Sequence, residues 1–303
     1  MFDNPFEILP LIFAVVALGI AVKAMNQITE LRSRLDKMEA AAAWRRFGQA
    51  LSNSVKIAIV DSGIELSHPK LRHLRLLDDI GFEKTASGIV ERTVGAGVDK
   101  YGHGTAVAFV INRIAPEAQL GSFRVLDENL GSKYIIIEEA VRIAIDRGYH
   151  IINCSFGSDA KLEAIKHFKP WIDLSYRYGV HVVTACNNAD FRSAEWPGYF
   201  PTAIVVNMAK TDSDDVFFRW DVPPQGDFAQ HLVEFAARGV DLELPWNQGQ
   251  VVKRTGSSFA APHVAGMLAR LLSQYPHLKP PVAKALLQEI AVPWEPSYIG
   301  PNS

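Results

Sequence analysis

Short apolar runs rich in β-branched residues alternate with helical stretches after Gly48, and this alternation limits the folds open to the chain. The apolar runs include VKIAIV, HIINCSF, GVHVVTAC and TAIVVNM, and IIEEAVRIAIDRG is a helical stretch between two of them. Uninterrupted apolar strands separated by helices are typical of a parallel sheet that helices cover on both faces. The sequence therefore predicts a three-layer α/β fold around a mostly parallel sheet.

Size and composition favour one large domain with an attachment. The chain has 303 residues, of which 48% are hydrophobic, and we expect a single globular domain at 51–303. The formal net charge of −2 provides no basic excess, so we expect no nucleic-acid partner. Cys154 and Cys186 lie in apolar stretches and are interpreted as buried thiols. The alternative is a disulfide between neighbouring strands.

The N-terminal region carries an uncharged apolar run from Ile8 to Val22. The run is shorter than the ~20 residues that comfortably cross a bilayer, but flanking residues can extend it. We therefore predict a membrane anchor at residues 1–25, inserted through residues 6–25. A cleaved signal peptide is the rival, but Asp3 and Glu7 precede the run, where a signal peptide needs basic residues.

Charge around this run predicts its orientation. No basic residue precedes the run, and four follow it: Lys23, Arg32, Arg34 and Lys37. By the positive-inside rule, this asymmetry places the globular domain in the cytoplasm. Apolar residues then recur at steps of three or four, which predicts an amphipathic helical linker at 26–50. The stripe either packs on the chain's own domain or mediates self-association through a helix at 25–45, and the lack of three clean heptads favours packing.

Asp61 and His103 both occupy positions that suit a reactive site. Asp61 comes directly after the run VKIAIV, at a predicted strand end, where reacting groups of parallel sheets lie. His103 lies between two glycines in YGHGTAVAF, which gives its ring close backbone access. Taken singly, a turn-forming Asp and a structural His explain these positions equally well.

Ser258 lies in TGSSFAAPHVAG, at the start of a predicted apolar helix. A helix N-terminus directs backbone donors and positive charge at an oxyanion that forms beside the hydroxyl. A serine hydroxyl becomes a good nucleophile only when an imidazole takes its proton and a carboxylate holds that imidazole. The order Asp, His, Ser along the chain is one known solution to this requirement.

Three segments together resemble the Asp, His and Ser boxes of the subtilisin-like serine proteases: IAIVDSGIELSHPKL, YGHGTAVAF and TGSSFAAPHVAG. The likeness covers about residues 54–290 and implies a subtilisin-like fold and peptide-bond hydrolysis. Under this resemblance Asp61 orients the base, His103 is the base and Ser258 is the nucleophile. Asn188, at the end of VVTACNN, matches the family's oxyanion donor, and Asn187 is the competing candidate at the family's glycine.

The resemblance also implies a polypeptide substrate, bound by strand addition. It assigns substrate pairing to two backbone segments, which are Gly131, Ser132 and Lys133 and then Ser155, Phe156 and Gly157. Glu195, before Trp196–Pro197–Gly198, matches the base of the family's specificity pocket and predicts a preference for Lys or Arg before the cleaved bond. Alternatively, the loop 189–196 turns Glu195 to solvent or onto Arg192.

Cofactors and rival functions complete these expectations. No metal ligand set is predicted. Members of the family bind structural calcium, and calcium is therefore an open alternative here, although the sequence has no dense run of Asp and Asn.

The long segment 72–98 is either a plain insertion or a loop that covers the cleft. The alternative function is a catalytically silent, membrane-tethered binding module, and a nucleotide-binding domain is disfavoured because DSGIELSHP is no phosphate loop.

Overall fold

The computed structural model describes residues 55–85, 88, 90–95, 97–159, 162–191, 193–220 and 233–294. The predicted anchor at 1–25 and the predicted linker at 26–50 lie outside these residues. Across the ranges just given, no helix combines the length and the apolar character that crossing a membrane requires.

A ten-stranded sheet forms the centre of the domain. In spatial order its strands are β14 (Val292–Pro293), β10 (Phe217–Arg219), β11 (Phe235–Arg238), β9 (Ile204–Ala209), β7 (His181–Ala185), β5 (Ile151–Cys154), β1 (Lys56–Asp61), β4 (Gln119–Arg124), β2 (Leu76–Lys84) and β3 (Val90–Val94). Only the pairs β10–β11 and β2–β3 are antiparallel. The predicted mostly parallel sheet is thus confirmed.

Helices cover both faces of this sheet. They are α1 (His103–Ile114), α2 (Tyr134–Asp146), α3 (Leu162–Tyr178), α4 (Ser257–Gln274) and α5 (Pro280–Ile290). Helices α1 and α4 pack on each other and on the sheet, whereas α2 and α3 pack on each other and on the sheet elsewhere. In β1, Ala58 and Val60 belong to the apolar cluster that contains the α2 and α3 side chains, while the equally buried Ile57 and Ile59 alternate with them.

Two small antiparallel pairs lie beside the main sheet. One joins β6 (Ser158–Asp159) to β8 (Glu195–Trp196), and the other joins β12 (Leu242–Pro245) to β13 (Val251–Arg254). A short 3₁₀ helix, Asn247–Gly249, connects β12 to β13. The β12–β13 connection carries Trp246, whose ring lies edge-on to the ring of His103 at the start of α1.

The long segment 72–98 builds mainly sheet. Its β2 pairs in parallel with β4, and β3 pairs antiparallel with β2 at the edge. In its described residues the segment therefore extends the sheet by a hairpin.

Both cysteines are free and buried, as the sequence predicts. Burial in the apolar interior raises the pKa of the Cys186 thiol to about 12, and it also raises the pKa of Cys154. Both sulfurs therefore act as small apolar groups at neutral pH.

Candidate active site

Asp61 is the last residue of β1, in the middle of the sheet. The residue is only 1% exposed. The Ser62 N–H donates a hydrogen bond to its Oδ1 at 2.7 Å, and the Ser62 hydroxyl donates another at 3.2 Å. Burying a carboxylate costs free energy unless hydrogen-bond donors compensate for the lost water. The turn after β1 supplies two of these donors.

His103 is the first residue of α1, and its ring faces Asp61. Its Nδ1 lies 2.9 Å from Asp61 Oδ1 and 3.0 Å from Oδ2. Because an ionised carboxylate can only accept, Nδ1 carries the proton and Nε2 of the neutral ring keeps a lone pair. The ring packs on Phe259 at 5.2 Å between centroids, with Trp246 edge-on at 6.4 Å.

The glycines on either side of His103 are required by close contacts. Gly102 has φ of 112°, and a Cβ there would lie 2.5 Å from the ring of Trp246. A Cβ on Gly104 would lie 2.1 Å from the carbonyl oxygen of Gly63. The motif Gly-His-Gly therefore lets the start of α1 approach the turn after β1 closely enough for His103 to reach Asp61.

Opposing effects act on the pKa of His103. Burial disfavours the charged imidazolium and lowers the pKa. The negative charge and hydrogen bond of Asp61 raise it, and the charge of Asp99 adds to this. The pKa of His103 is raised on balance, so the site favours a proton on this ring more than water does.

The two serines that begin α4 have different surroundings. Ser257 is fully buried and its hydroxyl donates to the carbonyl oxygen of Cys186 at 2.7 Å. Ser258 is half-buried, and no described residue forms a hydrogen bond with its hydroxyl, His103 included. Its neighbour Phe259 is the ring that packs on His103. Ser258 thus lies at the positive end of a long helix, one residue before the ring that contacts the imidazole.

The two asparagines after β7 also differ. Asn187 is half-buried, and its Oδ1 accepts the N–H groups of Ala189 at 2.8 Å and Asp190 at 3.1 Å, which caps the following turn. Asn188 is exposed, and its Oδ1 accepts the Ser257 N–H at 2.8 Å. This bond orients the Asn188 amide and leaves Nδ2 available as a donor.

Gly256 shows how close the Asn188 amide and the Ser258 hydroxyl are. A Cβ on Gly256 would lie 3.2 Å from Ser258 Oγ and 3.7 Å from both Nδ2 and Oδ1 of Asn188. The hydroxyl and the amide therefore border one small space. Of the two candidate asparagines, Asn188 is the one that lies beside Ser258.

The first predicted substrate segment adjoins the strand that carries Asp61. Gly131, Ser132 and Lys133 are exposed and lead into α2. The Ser132 hydroxyl donates to the Val125 carbonyl oxygen at 2.8 Å, and the N–H of Val125 donates to the Asp61 carbonyl oxygen at 2.9 Å. The segment also lines a cavity of about 490 Å³, together with residues of β2, β4 and the loop after β4.

The second predicted substrate segment follows β5. Ser155 is buried and its hydroxyl accepts from the side-chain amide of Asn153 at 2.8 Å, whereas Gly157 is exposed. Phe156 is half-buried and packs on the core. Because β5 lies next to β1, this segment also starts at the carboxyl end of the sheet's centre.

Glu195 belongs to β8 and lies directly over Gly157. A Cβ on Gly157 would be 2.1 Å from Glu195 Cδ, so the carboxylate-bearing side chain occupies the space beside that backbone. The Glu195 side chain is half-buried, and its charge is among the causes that raise the pKa of Cys186. The structure thus brings Glu195 to the second predicted substrate segment. The alternative partner, Arg192, lies outside the described residues.

No group of three or more His, Cys, Asp or Glu residues that could hold a metal ion occurs in the described part of the chain. Asp99 is the polar residue that sequence reasoning missed. It is 9% exposed and receives four hydrogen bonds from the residues around His103. The available signal was an acidic residue shortly before the Gly-His-Gly motif.

A family model described as the subtilase family matches residues 52–298, and the chain therefore belongs to the subtilase family. A thermostable alkaline protease of Halalkalibacterium halodurans is 27% identical over 233 residues, which cover 74% of this chain and 58% of that protein. Subtilisin DY of Bacillus licheniformis is 27% identical over 238 residues, which cover 74% of this chain and 79% of that protein. The chain thus spans little more than half the length of the first of these relatives.

Solved structures agree with this assignment. Sphericase matches with a TM-score of 0.63 and 25% identity, over 80% of this chain and 86% of that one. The S41 psychrophilic protease matches with a TM-score of 0.64 and 25% identity, over 78% and 82% of the two chains. The predicted subtilisin-like fold of the globular domain is confirmed.

Proposed function

We propose that the chain is a serine endopeptidase in which Asp61, His103 and Ser258 form the catalytic triad and Asn188 donates to the oxyanion. The observation that carries this proposal is the buried hydrogen bond of 2.9 Å between His103 Nδ1 and Asp61. It gives the ring the tautomer that a general base needs, with Nε2 unprotonated. Support also comes from the place of Ser258 at a helix N-terminus and from the family's protease relatives.

The reaction follows from these groups. His103 Nε2 takes the proton of the Ser258 hydroxyl while Oγ bonds to the substrate's carbonyl carbon, and Asp61 stabilises the imidazolium. The resulting oxyanion accepts hydrogen bonds from the Ser258 N–H and from Asn188 Nδ2. The imidazolium then protonates the leaving amine as the peptide C–N bond breaks, and a water molecule releases the acyl group by the same steps in reverse order.

The proposed substrate is a polypeptide in extended conformation. Its backbone pairs with the exposed segment 131–133 on one side and with the segment 155–157 on the other, by strand addition. Backbone pairing tolerates many sequences, so side-chain selection depends on the pocket beside Glu195.

Replacing Ser258 tests the nucleophile. Ser258→Ala is expected to abolish casein hydrolysis and labelling by a fluorophosphonate probe, because the hydroxyl is the attacking group, while the melting temperature stays the same because no described residue bonds to it.

The matched control is Ser257→Ala. This variant loses the hydrogen bond to Cys186 and should be less stable by about 1 kcal/mol, yet it should still react with the probe. Undiminished hydrolysis by Ser258→Ala, or loss of labelling only in Ser257→Ala, contradicts the assignment.

Replacing Asn188 tests the oxyanion donor. Asn188→Ala should lower kcat by about 10²–10³-fold with little change in KM, since the donor is used mainly in the transition state. Asn187→Ala is the control, because its side chain caps a turn. Steady-state kinetics on one peptide decide between them, and a larger kcat loss in Asn187→Ala refutes the role of Asn188.

Replacing Glu195 tests the specificity pocket. A half-buried carboxylate beside the substrate segment should favour Lys or Arg before the cleaved bond by about 1–3 kcal/mol over a neutral side chain. A peptide library varied at that position should show this basic preference in the parent and its loss in Glu195→Gln. A preference for large apolar residues that Glu195→Gln leaves unchanged would rule the pocket assignment out.

We also propose that residues 6–25 anchor the enzyme in a membrane, with the catalytic domain in the cytoplasm. The support is the uncharged run followed by basic residues. Deleting residues 1–24 should move the protein from the membrane fraction to the soluble fraction, and a reporter fused after Ser303 should resist external protease. A truncated protein that still pellets with membranes, or a protease-sensitive reporter, refutes this proposal. Self-association through residues 25–45 is tested by analytical ultracentrifugation of the form that lacks residues 1–24 against a form that lacks residues 1–45, because only the first keeps the predicted helix.

A further inference from the structure

The carboxylate of Asp99 holds the loop that precedes His103. Its Oδ1 accepts the N–H groups of Tyr101 at 2.9 Å and Gly102 at 2.7 Å. Its Oδ2 accepts the N–H of Thr105 at 2.8 Å and the Thr105 hydroxyl at 2.6 Å. The loop therefore closes around one side chain, with two donors on each oxygen.

The same side chain also joins this loop to the turn after Asp61. The Thr105 oxygen that donates to Asp99 accepts the N–H of Glu65 at 2.9 Å. An antiparallel bridge pairs Asp99 with Gly63. Asp99 is thus linked to both backbone segments whose relative position sets the contact between Asp61 and His103.

Few other charges face the imidazole. Asp61 approaches it from β1 and Asp99 from the loop before α1. The α4 helix presents the ring of Phe259, and the β12–β13 connection presents Trp246, which carries the guanidinium of Arg254 on its face at 5.0 Å. Within the described ranges no basic side chain forms an ion pair with Asp99.

We propose that Asp99 is a positioning residue for the proposed peptidase. It fixes His103 against Asp61 through the loop 99–105, and its negative charge stabilises the imidazolium that forms during catalysis. The inference rests on the proposed function and adds a residue to it.

The decisive variant is Asp99→Asn, which keeps the shape and one acceptor oxygen but places an NH₂ group against one of the two donor pairs, that of Thr105 or that of Tyr101 and Gly102. Misplacement of the imidazole should lower kcat by about 10–100-fold with KM little changed. His103 must be neutral to act as base, so activity rises as pH rises through its pKa. Loss of the Asp99 charge lowers that pKa, and the acidic limb of the kcat/KM profile should move to lower pH.

Thr105→Val is the matched control, because it removes one donor to Asp99 and leaves the charge in place. It should lower kcat and the melting temperature, while the acidic limb stays at its original pH. An unmoved limb in Asp99→Asn, or an equal movement in both variants, overturns the electrostatic role. An unchanged kcat in Thr105→Val overturns the positioning role, and this result decides even if Asp99→Asn does not fold.

A readout without turnover separates this inference from the peptidase proposal. The pKa of His103 is measured by NMR titration of histidine-labelled protein, with and without Asp99→Asn, in the full chain carrying Ser258→Ala. A lower pKa in the Asp99→Asn protein supports the inference whether or not the parent cleaves peptides, and an equal pKa refutes it. A parent that neither hydrolyses casein nor labels with the fluorophosphonate probe refutes the peptidase proposal instead.

Discussion

The buried hydrogen bond between Asp61 and His103 is the contact on which the rest of the site depends. Asp61 is 1% exposed, and a carboxylate so far from water is stable only if several donors reach it. His103 comes from a segment 42 residues away, so the start of α1 must approach the end of β1 closely. This close approach requires glycine at position 104, because any side chain there would collide with the carbonyl oxygen of Gly63. The glycines of the motif are therefore a condition for the contact.

Strand order explains why the other groups gather at the same place. Strands β7, β5, β1 and β4 are neighbours and run in parallel, so the segments that follow them leave the sheet along one edge. Asn188 follows β7, the segment 155–157 follows β5, and Asp61 ends β1. Helix α4 packs beneath β5, β7 and β9 and brings Ser258 to this edge with its positive end first. The arrangement suits stabilisation of a developing negative charge.

Adjacent residues of the same type received different roles from the fold. Ser257 and Ser258 are consecutive, yet the Ser257 hydroxyl donates to the Cys186 carbonyl oxygen, whereas the half-buried Ser258 hydroxyl has no such bond in the described residues. Asn187 and Asn188 divide in the same way between capping a turn and lying beside Ser258. In each pair, the direction of the backbone at that residue decides which side chain reaches the site.

The sequence by itself determined the α/β class and the mostly parallel sheet, because apolar periodicity is a local property of the chain. It supplied the candidate site residues only through motifs that resemble those of a family. Tertiary structure alone decided three things. Segment 72–98 became an edge hairpin, Glu195 came to lie over Gly157, and Asp99 became the hub of the loop before His103. Each involves a contact between distant segments: β2 pairs with β4, Glu195 meets Gly157, and the Thr105 hydroxyl joins the Asp99 loop to the Glu65 N–H, 40 residues earlier. Residue type and spacing do not encode such contacts, since they arise only when the strands have been placed side by side.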